Sequence, residues 1–264
     1  EKYRSVNEKE YAEMRRFRRF ANLSNDQLNV ICWFGTTSQD GLHAPDCIGD
    51  GIFRRFANNS PLEFALRLSI GARFEWVQVQ YSANNQYETL FRPILQATAA
   101  RDFEAAERLA SLSPPEIETP VVRAYSLIFM GVSALIRGDQ QLLQQATKKE
   151  RKSDPAYVKS ILAVLRAVAM ESAIDFANAL NKMLSSYGRY MYNNEIYRLI
   201  DPHALGLYEL CKRFSPSVVT EFDVERKLPW DREYYQWSLD IDDVSVYFDV
   251  DAIPQEMRPY LLEF

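Results

Sequence analysis

An identical hexapeptide, Phe-Arg-Arg-Phe-Ala-Asn, occurs at residues 17–22 and again at residues 53–58, about 36 positions apart. A recurrence of that length is rarely accidental, and it constrains the fold because each copy is followed by a helix-start signal. Ser24 precedes Gln27 by three residues; Ser60 precedes Pro61, at a first helical position, and Glu63. In that pattern a hydroxyl caps a new helix and a side chain three residues on answers it. Each unit is therefore expected to hold a helix, a tight break and a second capped helix. Within the repeat, Phe17, Phe20 and Ala21 share one helical face, and Arg18 and Arg19 point away from it.

A second period follows. Asp102, Asp139 and Asp175 each open an alanine- or leucine-rich amphipathic segment, at spacings of about 37 and 36 residues, the range of tetratricopeptide-like helical hairpins. The strict tetratricopeptide consensus is absent. Only 9 of the 264 residues are glycine, which favours helix. Helices are expected near 7–21, 25–35, 45–57, 61–80, 87–98, 102–111, 118–136, 140–149, 155–170, 173–186, 191–200 and 203–213. The expected fold is all-α, with stacked antiparallel helical hairpins of irregular tetratricopeptide-like form in one helical domain over 1–264. Ser113-Pro114-Pro115 marks a boundary between lobes 1–112 and 116–215.

After Ser215-Pro216 the pattern changes. Val244, Val246, Phe248 and Val250 alternate with Ser245, Tyr247, Asp249 and Asp251, which predicts extended chain over part of 216–264. This segment carries 12 acids against 4 bases, while the whole chain has a formal net charge of −5. The first 215 residues are consequently net positive, and the negative charge is concentrated in the tail.

Little in the sequence points to chemistry. Cys32, Cys47 and Cys211 are odd in number and make no ligand-spaced pair, so reduced thiols are expected rather than disulfides or a zinc site. His203 stands eight residues before Cys211, a spacing that does not bring both to one point, and His43 has no evident partner. Asp46 and Asp50 could share a cation, but Arg54 and Arg55 make local salt bridges the simpler reading. No phosphate-cradling loop or serine elbow occurs, so no catalytic residue, metal or cofactor is expected. The arginine pairs Arg15-Arg16, Arg18-Arg19 and Arg54-Arg55, interleaved with Phe17, Phe20 and Phe56, superficially suggest phosphate binding. In a net acidic chain they are read instead as solvated or paired, with Glu8, Glu10, Glu13 or the acidic tail as partners, and no direct nucleic-acid contact is expected. The longest apolar stretch, residues 124–136, is too short to span a membrane, and no charged flank with an apolar run opens the sequence. A cytoplasmic protein is the expectation. The aromatic run Trp230, Tyr234, Tyr235 and Trp237, flanked by acids, fits either a partner surface or a clamp that holds the tail on the body.

From Val121 onward a succession of blocks resembles the immunity protein 49 family. They are Ala124-Tyr125-Ser126-Leu127, Ala134-Leu135-Ile136-Arg137-Gly138-Asp139, Asp175-Phe176-Ala177-Asn178-Ala179-Leu180, Asp201-Pro202-His203-Ala204-Leu205-Gly206-Leu207 and Leu228-Pro229-Trp230. The resemblance implies an immunity protein of a polymorphic toxin system, acting in interbacterial competition and not an enzyme. It would neutralise a cognate toxin, encoded by the adjacent gene, by occluding the toxin's active site. Trp230, Tyr234, Tyr235, Trp237, Asp240, Asp242, Asp243, Asp249 and Asp251 are the expected partner-binding residues. The alternative is a tetratricopeptide-like adaptor or peptide-sensing regulator, which the helical period alone supports. An enzyme would need a buried polar cluster around His43 or His203. An apolar helix face also leaves room for a homodimer.

Overall fold

The computed structural model describes residues 8–16, 25, 28, 44–81, 90–112, 120–148, 153–190, 195–219, 228–252, 255 and 258–262. They fold as helices: α1 (Glu8–Arg15), α2 (Ala44–Ala57), α3 (Pro61–Tyr81), α4 (Phe91–Ala99), α5 (Phe103–Ala110), α6 (Pro120–Arg137), α7 (Gln140–Lys148), α8 (Ala156–Ala169), α9 (Ala173–Tyr190), α10 (Pro202–Phe214), α11 (Arg232–Ser238) and α12 (Arg258–Leu261). The fold is all-α, and no strand occurs among the described residues. The first copy of the hexapeptide, with Ser24, Gln27, Cys32 and His43, lies outside the described residues.

One corner recurs at three of the breaks. Arg101, Gly138 and Glu171 have φ of 67°, 69° and 53°, the left-handed conformation that ends helices. The next residue closes the outgoing helix with its own N–H: Asp102 donates to Ala97 O at 2.8 Å, Asp139 to Ala134 O at 2.9 Å and Ser172 to Ala167 O at 2.9 Å. That same residue caps the incoming helix with its side chain. Asp102 accepts from Ala105 N at 3.1 Å, Asp139 from Leu142 N at 2.9 Å and Ser172 from Asp175 N at 3.3 Å. Ser172 also donates to the Asp175 carboxylate at 2.8 Å, so Asp175 is the third residue of its helix and Ser172 is the cap. At the corner after the second hexapeptide, Asn59 has φ 50° and Ser60 accepts from Glu63 N at 3.2 Å. Each cap of this kind is worth about 1 kcal/mol.

The expected helix over 191–200 is corrected: its described part is a single 3₁₀ turn, Ile196–Arg198. Pro202 disfavours helical backbone in the residue before it, and Asp201 is extended (φ −95°, ψ 96°), accepting from His203 N and Ala204 N to start α10.

Consecutive helices pack on one another, α2 on α3 and α8 on α9 most extensively, and α10 returns to lie against α4. In a solenoid each unit touches only its neighbours, so this return contact sets the arrangement apart from a plain stack. At the crossing the backbones nearly touch. A Cβ on Gly206 would lie 1.7 Å from Leu95 O, and Thr98 donates from its hydroxyl to Gly206 O at 3.0 Å. The larger core joins residues of α4–α10 across both sides of Ser113-Pro114-Pro115, including Ile94, Phe129, Leu165, Leu180 and Leu207. A second core gathers Ile52, Phe64, Leu68, Leu205, Tyr234 and Val244.

The second hexapeptide keeps the two faces read from the sequence, with the apolar one outward. Phe53 and Phe56 are 59% and 51% exposed, and Arg55 is 3% exposed. Arg55 is drawn inward by carboxylates from the tail.

Candidate functional site

The tail was expected to be extended. Its described part is instead a chain of short helical turns: α11, then 3₁₀ turns at Val244–Tyr247 and Val250–Ala252, then α12. The alternation of apolar and polar residues is overridden by local capping. Asp231 accepts from Glu233 N and Tyr234 N at 3.0 Å each, Asp243 accepts from Ser245 N at 2.7 Å and Asp249 from Asp251 N at 3.1 Å. Carboxylates bonded to nearby backbone N–H groups offer the chain an alternative to a sheet ladder.

Three arginines and three aromatics hold this segment on the helical body. Arg55 donates to Asp231 from Nε (2.6 Å) and Nη2 (3.2 Å), and to Glu233 at 2.9 Å. Arg73 makes a bidentate pair with Asp102, at 2.6 and 2.9 Å, and donates to Leu261 O at 2.6 Å while its guanidinium lies 5.1 Å from the Phe248 ring. Arg101 bonds Glu209 at 2.6 Å and Ile241 O at 3.0 Å. Tyr234 donates to Ala99 O at 2.7 Å and meets Phe64 edge-on at 4.7 Å. Trp230 and Tyr235 both meet Tyr208 edge-on, at 5.4 Å.

These contacts sort the residues expected to bind a partner. Tyr234 is 1% exposed and lies in the core, which takes it out of any partner surface. Burial pushes its hydroxyl far above the ordinary tyrosine range. Trp230, Tyr235 and Trp237 are half-buried against the body, so the aromatic run works as a clamp. Asp243 is half-buried and spends its carboxylate on a cap. Asp240, Asp242, Asp249 and Asp251 are exposed. Beside them stand exposed apolar side chains that the alternation of residues 244–251 does not single out: Leu239, Val246 (75% exposed), Tyr247 and Val250. The signal that could have found them is the caps at Asp243 and Asp249, which break the two-residue period.

The polar cluster around His203 is a separate feature. The Tyr157 hydroxyl donates to both oxygens of Asp201, at 2.9 and 3.0 Å, and lies 3.4 Å from His203 Nδ1. Burial lifts the Asp201 carboxyl to about 7, against the bonds from Ala204 N, the Tyr157 hydroxyl and His203 N that favour its ionised form. Burial, with Arg92 nearby, lowers His203 to about 3. Arg92 donates to the Tyr190 hydroxyl at 2.7 Å. Tyr157, Asp201 and His203 are 3%, 0% and 5% exposed, so the cluster presents no face to solvent. What it does is join α8 to the start of α10 and, through Asp201 N bonded to Pro229 O at 2.9 Å, to the root of the tail.

Asp50 is engaged by Arg54 at 2.9 Å, a local partner read for it, and by Arg67 of α3 at 2.8 Å, whereas Arg55, the other arginine read there, pairs with Asp231 and Glu233 of the tail. Cys47 and Cys211 are both buried. Among the described residues no group of three or more His, Cys, Asp or Glu side chains could hold a metal ion, and no helix is long and apolar enough to cross a membrane. Comparison with protein-family models, with curated proteins and with solved structures finds no match for this chain.

Proposed function

We propose that the chain is a toxin-neutralising binding protein whose contact surface is the acidic ridge of residues 239–251. The observation that carries this reading is the division of labour within the tail. Ile241 O is held by Arg101, Val244 lies in the second core and Phe248 lies against Arg73, while Asp240, Asp242, Asp249 and Asp251 are exposed together with Val246, Tyr247 and Val250. A surface already held in place binds without the entropy cost of ordering a loop.

The chemistry favours a basic partner. A toxin that acts on nucleic acid or another phosphate-bearing substrate has a cationic groove, and a fixed row of carboxylates enters such a groove as a mimic of the substrate's charge, which speeds encounter and rejects acidic surfaces. The blocks from Ala124 to Trp230 that resemble the immunity protein 49 family point the same way, with the adjacent gene as source of the toxin. The test is co-expression with the product of the adjacent upstream gene, scored first for survival and then for co-purification. Rescue with a stable complex is expected. A harmless neighbour that does not bind overturns the proposal and leaves the adaptor reading in its place.

A further inference from the structure

The turn Val244–Tyr247 has an unusual construction for a surface element. It is pinned at both ends: Asp243 caps it, Val244 is 0% exposed in the second core, Phe248 N donates to Ser245 O at 3.1 Å, and the Phe248 ring lies against the Arg73 guanidinium. A strand would have placed Val244 and Val246 on one face. With about three residues per turn, the 3₁₀ geometry separates them, burying Val244 and turning Val246 outward at 75% exposed, while Tyr247, a full turn on from Val244 at the open end of the element, is 47% exposed. Two bulky apolar side chains are thus displayed on a rigid pedestal that does not need them. Acids lie on both sides in sequence, Asp240 and Asp242 before them and Asp249 and Asp251 after them.

We propose that Val246 and Tyr247 are the anchor of the interface, seated in an apolar recess in the floor of a basic protein groove, with the four exposed carboxylates as its rim. The arrangement is that of an interface hot spot, a desolvated apolar centre ringed by polar contacts that exclude water. The flanking charge selects the occupant. Carboxylates on both sides repel anionic membrane surfaces and nucleic acid, and they complement a cationic protein surface. This inference rests on the binding function proposed above and adds the division between residues that steer and residues that hold.

The test measures association and dissociation rates between the purified full-length chain and the purified product of the adjacent gene over a range of salt concentrations. Two variants are compared with the wild type: V246S/Y247S, and D240N/D242N/D249N/D251N, which leaves the Asp243 cap intact. For V246S/Y247S, dissociation about 30-fold faster is expected, with association rate and salt slope unchanged. For the asparagine variant, slower association and a flattened salt slope are expected. Thermal midpoints stay close to the wild type in both, since the altered side chains are exposed and Asp249→Asn keeps the oxygen that accepts from Asp251 N. If V246S/Y247S dissociates like the wild type while the asparagine variant loses its salt slope, the anchor is wrong and the binding function stands. If the wild type itself forms no complex, the binding function falls and the anchor with it.

Discussion

Arg55 and Asp231, 176 residues apart in sequence, meet in a two-pronged ion pair whose side chains are 4% and 7% exposed. Asp231 also caps α11 through two backbone N–H groups, so one carboxylate both starts the tail's first helix and fastens it to α2. Asp231→Asn keeps the cap and removes the charge; Asp231→Ala removes both. Each strands the buried Arg55, whose other carboxylate partner, Glu233, is 81% exposed. Losing one partner of a buried pair costs about 3 kcal/mol, and losing the cap about 1 kcal/mol more. Urea denaturation should rank wild type above Asp231→Asn above Asp231→Ala. Equal stability of the two variants would mean that the cap adds nothing.

The pH response of the Asp201–His203 cluster follows from two opposed shifts. The Asp201 carboxyl, 3.8 ordinarily and about 7 when folded, holds a proton in the folded chain that the unfolded chain has released. Its stabilising contribution is complete in acid and is lost as pH rises through about 7. His203, 6.5 ordinarily and about 3 when folded, runs the other way: the unfolded chain gains the proton, and stability is lost as pH falls below 6.5. Between about pH 4 and 6.5 the two cancel. Asp201→Asn, which keeps a side-chain acceptor at the cap, should unmask His203 and lose stability on acidification by up to about 1.4 kcal/mol per pH unit. His203→Gln should show the opposite slope. Denaturation curves from pH 4.5 to 7 check this, and parallel slopes in the two variants would refute it.

Asn59, Arg101 and Glu171 have left-handed backbone at helix ends, and the last two should respond oppositely to glycine. Glu171, with φ 53°, is exposed, and Glu171→Gly should stabilise by about 1 kcal/mol through relief of the left-handed strain. Arg101, with φ 67°, bonds Glu209 and Ile241 O. Arg101→Gly gains the same relief and leaves the buried Glu209 unpaired, so a net loss of about 2 kcal/mol is expected. Thermal midpoints that move in the same direction would count against this account.

Gly206 and Gly131 both lie at helix contacts, with different neighbours. At Gly206 a methyl group meets the Leu95 carbonyl, which cannot move without displacing α4; at Gly131 it meets the tip of the Leu165 side chain at 2.8 Å. Gly206→Ala should cost about 3 kcal/mol or more, and Gly131→Ala about 1 kcal/mol. Chemical denaturation of the pair distinguishes backbone from side-chain resistance.

Helix positions were legible because amphipathic periods, Ser60-Pro61, Asp102 and Asp139 are local signals that tertiary packing left in force. The tail was misread because the alternation at 244–250 is also local, and the caps at Asp243 and Asp249 compete with it on equal terms. The inward turn of Arg55 could not be read from α2 at all. It depends on Asp231 and Glu233, supplied by the far end of the chain, and no periodicity within the hexapeptide encodes that. The cluster at Asp201 was half visible: the Asp-Pro start of α10 stands in the sequence, but the tyrosine that reaches it comes from α8. Of the surface residues, the four exposed aspartates follow from composition, whereas Val246 and Tyr247 emerge only once the backbone is known to be 3₁₀.

Three attachments hold the tail by its own main chain rather than by a side chain: Arg73 to Leu261 O, Arg101 to Ile241 O and Pro229 O to Asp201 N. A carbonyl is present whatever residue bears it. Mutational drift along the ridge can therefore rewrite the outward side chains without loosening the scaffold beneath, so the face that the tail shows can change while the fastening is inherited unaltered.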